Sequence, residues 1–215
     1  MRRLAIMVSV ITAFLICATA SSAQPLLSIL SLYSEDEHLC VDFYLKNALE
    51  KEILTSIRNG VPALLSYKVE IWEDKANWYD RLVKTFTYSY KIAYDNWDTL
   101  YCVDALAQGK KETGRAKNVA DLIHLICNQK KLKTCPIRDL SREASYYVSI
   151  SAAIQSLSAE RVKEIESWLG GGGSDGAEGQ REAGGLLGFV VDMFGSKARQ
   201  VQAKSNIFAL EALTK

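Results

Sequence analysis

Leu82-Val83-Lys84-Thr85-Phe86-Thr87-Tyr88-Ser89-Tyr90-Lys91-Ile92-Ala93-Tyr94 alternates along its whole length. Phe86, Tyr88, Tyr90, Ile92 and Tyr94 fall on one side, and Val83, Thr85, Thr87, Ser89, Lys91 and Ala93 on the other. A helix would scatter those aromatic residues around its circumference, whereas a strand gathers them on one face. One apolar and one polar side is the pattern of an antiparallel sheet with a single face on the core. The tyrosines of that face read as sheet core and cross-strand pairs.

Working outward, Leu64 to Glu73 alternates in the same way, and Asp95-Asn96-Trp97-Asp98 is turn chemistry leading to a returning strand, Thr99 to Val103. Upstream, Leu27 to Lys46 reads as a hairpin around the acidic turn Ser34 to Glu37, with Leu39, Val41, Phe43 and Leu45 inward. Asn47, with Glu50 three residues on, reads as the cap of a helix whose stripe is Leu49, Ile53, Leu54 and Ile57, and Gly60 with Pro62 stops it. Downstream, Gln108 to Lys117 is a polar stretch. Asn118 caps a second helix with Val119, Leu122, Ile123 and Ile126 buried. Ala144 to Ile154 is another strand, and Ser158 opens a short helix through Val162, Ile165 and Leu169. The expected fold is α+β, an antiparallel sheet for which a sandwich is one arrangement, with two or three packed helices.

The ends of the chain differ in composition from its middle. Arg2 and Arg3, the apolar run Leu4 to Ile16 and the small residues Ala18 to Ala23 follow the order of a secretory signal peptide. Ser21 and Ala23 supply the small side chains that signal peptidase requires, which places cleavage before Gln24. The apolar run is short for a membrane anchor, and Ile16 before Cys17 does not suit lipidation. Residues 1–23 therefore read as a leader, 24–169 as an α+β envelope domain, Gly170 to Gly185 as a flexible linker, and 186–215 as a C-terminal apolar segment and tail. In that division the core folds without the tail. Leu186 to Phe194 is too apolar to be left solvated, so its own domain, a partner protein or a membrane surface should cover it.

Removing Arg2 and Arg3 leaves 24 basic residues against 25 acidic ones. Without a cationic cluster nucleic acid is a poor partner. Cys40, Cys102, Cys127 and Cys135 remain after cleavage, enough for three pairings. Cys127 and Cys135, across a helix-to-strand connection, are the best-placed pair on loop length; the alternative is four free thiols buried as small hydrophobes. No C-x-x-C or clustered Cys/His spacing points to a metal, and nothing points to a cofactor.

Catalytic motifs are missing: there is no H-E-x-x-H, the four-glycine run sits in the linker rather than between a strand and a helix, and His38 and His124 stand in dissimilar contexts. Trp72, Trp78 and Trp97 are the candidate binding residues. Trp72 falls on the strand face opposite Val69 and Ile71, and the other two sit at turns, where aromatic faces can hold a ligand or partner. The reading is a non-enzymatic binding module of the periplasm or envelope, with an unidentified envelope hydrolase as the alternative.

Asn59-Gly60-Val61-Pro62, Tyr67 to Trp72, Trp78-Tyr79-Asp80 and Tyr88 to Asp95, in that order, resemble domain-of-unknown-function family 4390, a group of exported bacterial proteins. The resemblance covers roughly Leu27 to Leu169. It implies a small envelope-facing domain and no catalytic residues. Some genes of the family are similar in setting to neighbours of membrane sensor kinases, which implies an extracytoplasmic partner of such a kinase as a further alternative. Mass spectrometry of the protein from its native host should find a chain beginning at Gln24; an intact Met1 to Ala20 stretch would show that the leader is retained.

Overall fold

A computed structural model describes residues 24–75, 78–107, 110–158, 160, 194 and 199–213. The N-terminal hairpin forms as its alternation demands. Strands β1 (Leu26–Glu35) and β2 (His38–Lys46) pair antiparallel around Asp36 and Glu37, both at positive φ, 50° and 59°. Such a two-residue turn matches the twist of the strands it joins. Leu39, Val41, Phe43 and Leu45 are buried as expected. Leu30 is an extra residue in β1, a bulge that interrupts its exposed edge.

Helix α1 (Lys51–Arg58) follows, with Ile57 buried. Its cap is not Asn47, a correction to the sequence reading. Asn47 has φ 54°, and its side-chain amide donates to the Gln24 carbonyl at 3.2 Å, tying the hairpin ends together. Glu50 takes the capping position without a side-chain bond. Gly60 at φ +85° ends the helix in the left-handed conformation that glycine adopts at no steric cost.

Strands β3 (Ala63–Asp74), β4 (Arg81–Asp95) and β5 (Leu100–Ala107) then run antiparallel in sequence order. Gln108 to Lys117, expected as a polar connection, holds strand β6 (Lys110–Ala116) at the sheet edge, where few apolar residues are needed and charge deters pairing with other chains. Helix α2 (Val119–Cys127) is capped by Asn118, whose Oδ1 accepts from the Asp121 amide at 2.9 Å. A Cβ on Gly114 of β6 would lie 2.8 Å from Leu125 of this helix, so the close approach of the two elements uses the missing side chain.

The connection after α2 is itself a strand, β7 (Asn128–Pro136), paired with β2. Its lysines gave it no strand signature, because one of its edges faces outward. A turn of 3-10 helix, Ile137–Asp139, leads to β8 (Ser145–Ser156), which pairs with β3 along its full length. Two more strands, β9 (Arg199–Lys204) and β10 (Phe208–Ala209), complete the other side of β8.

The described residues thus form a three-stranded sheet, β1-β2-β7, and a seven-stranded one, β10-β8-β3-β4-β5-β6 with β9 also on β8. The expected α+β class, antiparallel sheet and two helices stand; the helix expected after Ser158 and the linker lie outside the described residues. The inner face of the large sheet shares one core with the small sheet and both helices. Phe43 meets Tyr67 edge-on at 4.9 Å between ring centres. Three inner tyrosines also reach across with their hydroxyls: Tyr67 donates to the Ile126 carbonyl, Tyr88 to the Lys133 carbonyl and Tyr90 to Gln129 Oε1, each at 2.8 Å. Tyr67 is fully buried, and desolvation holds its hydroxyl well above the usual phenol range.

Residues 199–209, assigned from sequence to a detached tail, belong to this sheet. Val201, Ala203 and Phe208 pack against the core, and Arg199 pairs with Glu50. Deleting residues 199–215 uncovers β8 and those side chains, which should cost on the order of 3 kcal/mol. Urea unfolding of the truncated and full chains checks this: the midpoint should fall clearly, and an unchanged midpoint would return the segment to tail status.

Candidate interaction surface

The outer end of the β3–β4 hairpin reaches past the small sheet. Along β4, Tyr90, Tyr88 and Lys84 meet Gln129, Lys133 and Asp139 in turn, so β7 and its following turn accompany the strand only as far as Lys84. Beyond it the register shifts between Ile71 and Trp72, a bulge that increases local twist and re-aims the tip. Trp78 and Tyr79 stand at that tip, 80% and 88% exposed, with Leu82 beside them 44% exposed.

Behind these side chains the tip is braced. Trp72 stacks on Tyr147 of β8, ring centres 6.4 Å apart and planes within 4°. Tyr147 donates its hydroxyl to Asp80 Oδ2 at 2.9 Å, and the Lys204 ammonium lies 5.2 Å from its ring centre, within cation–π range. Burial, and then the Asp80 carboxylate, push the Tyr147 phenol up to about 12. Asp80 Oδ1 accepts from the Lys75 amide at 3.4 Å, the Trp78 amide donates to the Lys75 carbonyl at 3.1 Å, and Arg81 binds Glu73 at 2.7 Å. The charges of the rim are therefore largely satisfied within the hairpin. What remains outward is aromatic surface on a fixed support.

Trp97 does not join this surface. It occupies the β4–β5 turn, 96% exposed, where Asp95 Oδ1 accepts from the Trp97 and Asp98 amides. The 15 residues of β4 separate it from Trp78 by roughly 45 Å. Trp72 and Trp78 thus share one end of the sheet and Trp97 marks the other. Tyr79 and Tyr147 escaped the sequence-based choice. A tyrosine pair such as Tyr146-Tyr147 on a strand must place one ring on each face, and that was the available signal.

Cys127 and Cys135 are not a pair. The ends of β7 pair with Tyr44 and His38, six residues apart on β2, so the strand holds the two thiols roughly 20 Å from each other against the 7 Å a disulfide spans. The short connection between them, chosen on its length, is an extended strand. Cys40, Cys102, Cys127 and Cys135 are all free thiols. Burial pushes Cys127 up to about 12 and Cys135 up to about 11, and it raises Cys40 too.

His38 bonds the Asp36 carbonyl at 2.8 Å, whereas His124 lies exposed on α2. Among the described residues no group of His, Cys, Asp and Glu has the geometry to hold a metal ion. A shallow pocket lined by Leu45, Leu65, Ala152, Ile154 and Val201 offers about 10 Å³, room for one water molecule.

The family described as "Domain of unknown function (DUF4390)" matches residues 24–158, more than half of the chain. The chain belongs to this family. The match ends just past β8, so the DUF4390 region contains the aromatic tip and leaves β9 and β10 outside it. No curated protein and no solved structure matches the chain. No described helix is long and apolar enough to cross a membrane.

With Cys17→Ala in place, native protein at pH 8 should show one reactive thiol, Cys102, because the high pKa of the buried thiols leaves them protonated. Alkylation followed by mass mapping checks this: Cys40, Cys127 and Cys135 should label only on unfolding, and rapid native labelling of Cys127 would contradict its burial.

Proposed function

We propose that this DUF4390 protein is an exported, non-enzymatic interaction module that binds an envelope protein through the aromatic tip of its β3–β4 hairpin. The observation that carries the reading is the near-complete exposure of Trp78 and Tyr79 on a braced support. Tryptophan and tyrosine are the residues in which binding energy concentrates at protein interfaces, and a pre-ordered support lowers the entropic cost of using them. In this reading the small sheet is a sandwich-like cover on the large one, and the hairpin tip is the part that reaches away. A protein partner is favoured over a lipid surface because Glu73, Asp74 and Asp80 interleave with Lys75 and Arg81, which leaves no cationic rim for anionic headgroups. Export is supported by the start of the family match at residue 24, where the cleavage site was read.

A photoreactive benzophenone side chain at Tyr79, introduced in the native host, tests the reading. One discrete cross-linked species should form and should fall at least tenfold when Trp78→Ala is added, while the same group at Trp97 gives none. The melting temperature should stay within about 2 °C, since both side chains are exposed. Cosedimentation of the purified protein with vesicles of phosphatidylethanolamine and phosphatidylglycerol, lost in Trp78→Ala, would assign the tip to a membrane surface and overturn the protein-partner reading.

A further inference from the structure

The outer face of the seven-stranded sheet is buried where nothing described should bury it. On β3, Leu65, Tyr67 and Val69 point into the shared core, so Leu64, Ser66 and Lys68 point away from it. The register carries that outer face to Ser89 and Lys91 on β4 and to Ser149, Ser151 and Ala153 on β8. Both helices and the small sheet pack on the inner side. Even so, Leu64 and Ser66 are 0% exposed, and Ser89, Ser149 and Ala153 are 1% exposed.

The surface these residues form is chemically suited to an apolar cover. Ser66 and Ser89 bond each other at 2.8 Å, and Gln202 donates to Ser149 at 2.8 Å, so these hydroxyls need no solvent. Lys68 is paired with Glu70 at 2.9 Å. What is left at the centre is small and self-satisfied, a platform against which large side chains can lie without stranding a polar group.

The chain's own route supplies the occupant. It leaves the large sheet at Ser156 on β8 and re-enters it at Arg199 on β9, which pairs with Ile154 two residues back along the same strand. Both ends of residues 157–198 are thus anchored at one corner of this sheet. Within that excursion Leu186-Leu187-Gly188-Phe189-Val190-Val191-Asp192-Met193-Phe194 is the most apolar stretch. Its last residue is described. The Phe194 ring centre lies 5.4 Å from Lys68 Nζ, and the Phe194 carbonyl accepts from Gln200 on β9.

We propose that the outer face of the seven-stranded sheet, centred on Leu64, Ser66, Ser89 and Ala153, is the docking site of the chain's own segment Leu186 to Phe194. The segment is an internal ligand, tethered on its C-terminal side by β9 and on its N-terminal side by the glycine-rich residues 170–185. The proposal does not depend on the aromatic tip or on what binds there.

Thiol accessibility tests it. In the full chain carrying Cys17→Ala and Cys102→Ala, Ser89→Cys should react slowly with maleimide. Deletion of residues 186–194, or Phe189→Asp with Phe194→Asp, should accelerate labelling at least tenfold, with Cys40, Cys127 and Cys135 still unreactive as proof that the core is folded. Equal rates with and without the segment, whether both fast or both slow, would overturn the assignment, and slow rates in both would give the cover to residues 157–170. Protection that disappears on dilution would give it to a second copy and likewise overturn the proposal. A further variant leaves the segment in place: Lys68→Cys with Phe194→Cys, in the same cysteine background, should be bridged within one chain by a short bis-maleimide. Failure to form that bridge in folded protein would also refute the docking.

Discussion

Tyr67 is the constraint on which the two sheets depend. Its ring lies between Phe43 of the small sheet and Tyr90 of the large one, at 4.9 and 6.1 Å, and its hydroxyl closes on the carbonyl of Ile126 at the end of α2. Gln129 donates to the same carbonyl at 2.9 Å and accepts from Tyr90, so one buried network holds β3, β4, α2 and β7 in a single arrangement. Apolar burial alone would let the sheets slide over each other. Directional bonds to fixed carbonyls select one register, because a displaced tyrosine leaves its buried hydroxyl without a partner.

Elements that bury one side and expose the other were legible in the sequence. The hairpin of β1 and β2, the Asn118 cap and the long alternation of β4 stand as read, since in each the period and the boundary residues agree. Elements whose pairing is decided by distant partners were not. β6 is seven residues of mostly polar character, β7 is rich in lysine, and β9 lies in a stretch that reads as tail; each is a strand because a neighbour offers it an edge. Local pattern carries little information about edge strands, whose outer side chains need satisfy no core. The polar side of β4 was misjudged for a related reason. Ser66 and Ser89 satisfy each other and can be buried, which composition alone does not reveal.

Of the candidate surface, the aromatic residues at turns were legible and little else. Trp78 and Trp97 look alike as residues, yet one crowns a hairpin braced by Asp80, Arg81 and the Trp72–Tyr147 stack, and the other tops a tight turn alone at the opposite end. The difference lies in β8, which brings Tyr147 beside Trp72 from far along the chain. The pairing of Cys127 with Cys135 failed on the same ground: separation in sequence sets the distance between two residues only once the backbone between them is known.

The order in which the chain is made gives β9 and β10 a kinetic meaning. They seal the side of β8 opposite β3, yet they leave the ribosome only after residues 157–198. Until then β8 presents a long row of unpaired amides and carbonyls flanked by Val148 and Ile150, the kind of edge that recruits strands from other molecules. The nascent protein therefore passes through a stage in which it is adhesive, and it ends that stage itself by delivering β9 and β10. A chain stopped short of Arg199 would be held in that adhesive stage, ready to exchange edges with its neighbours.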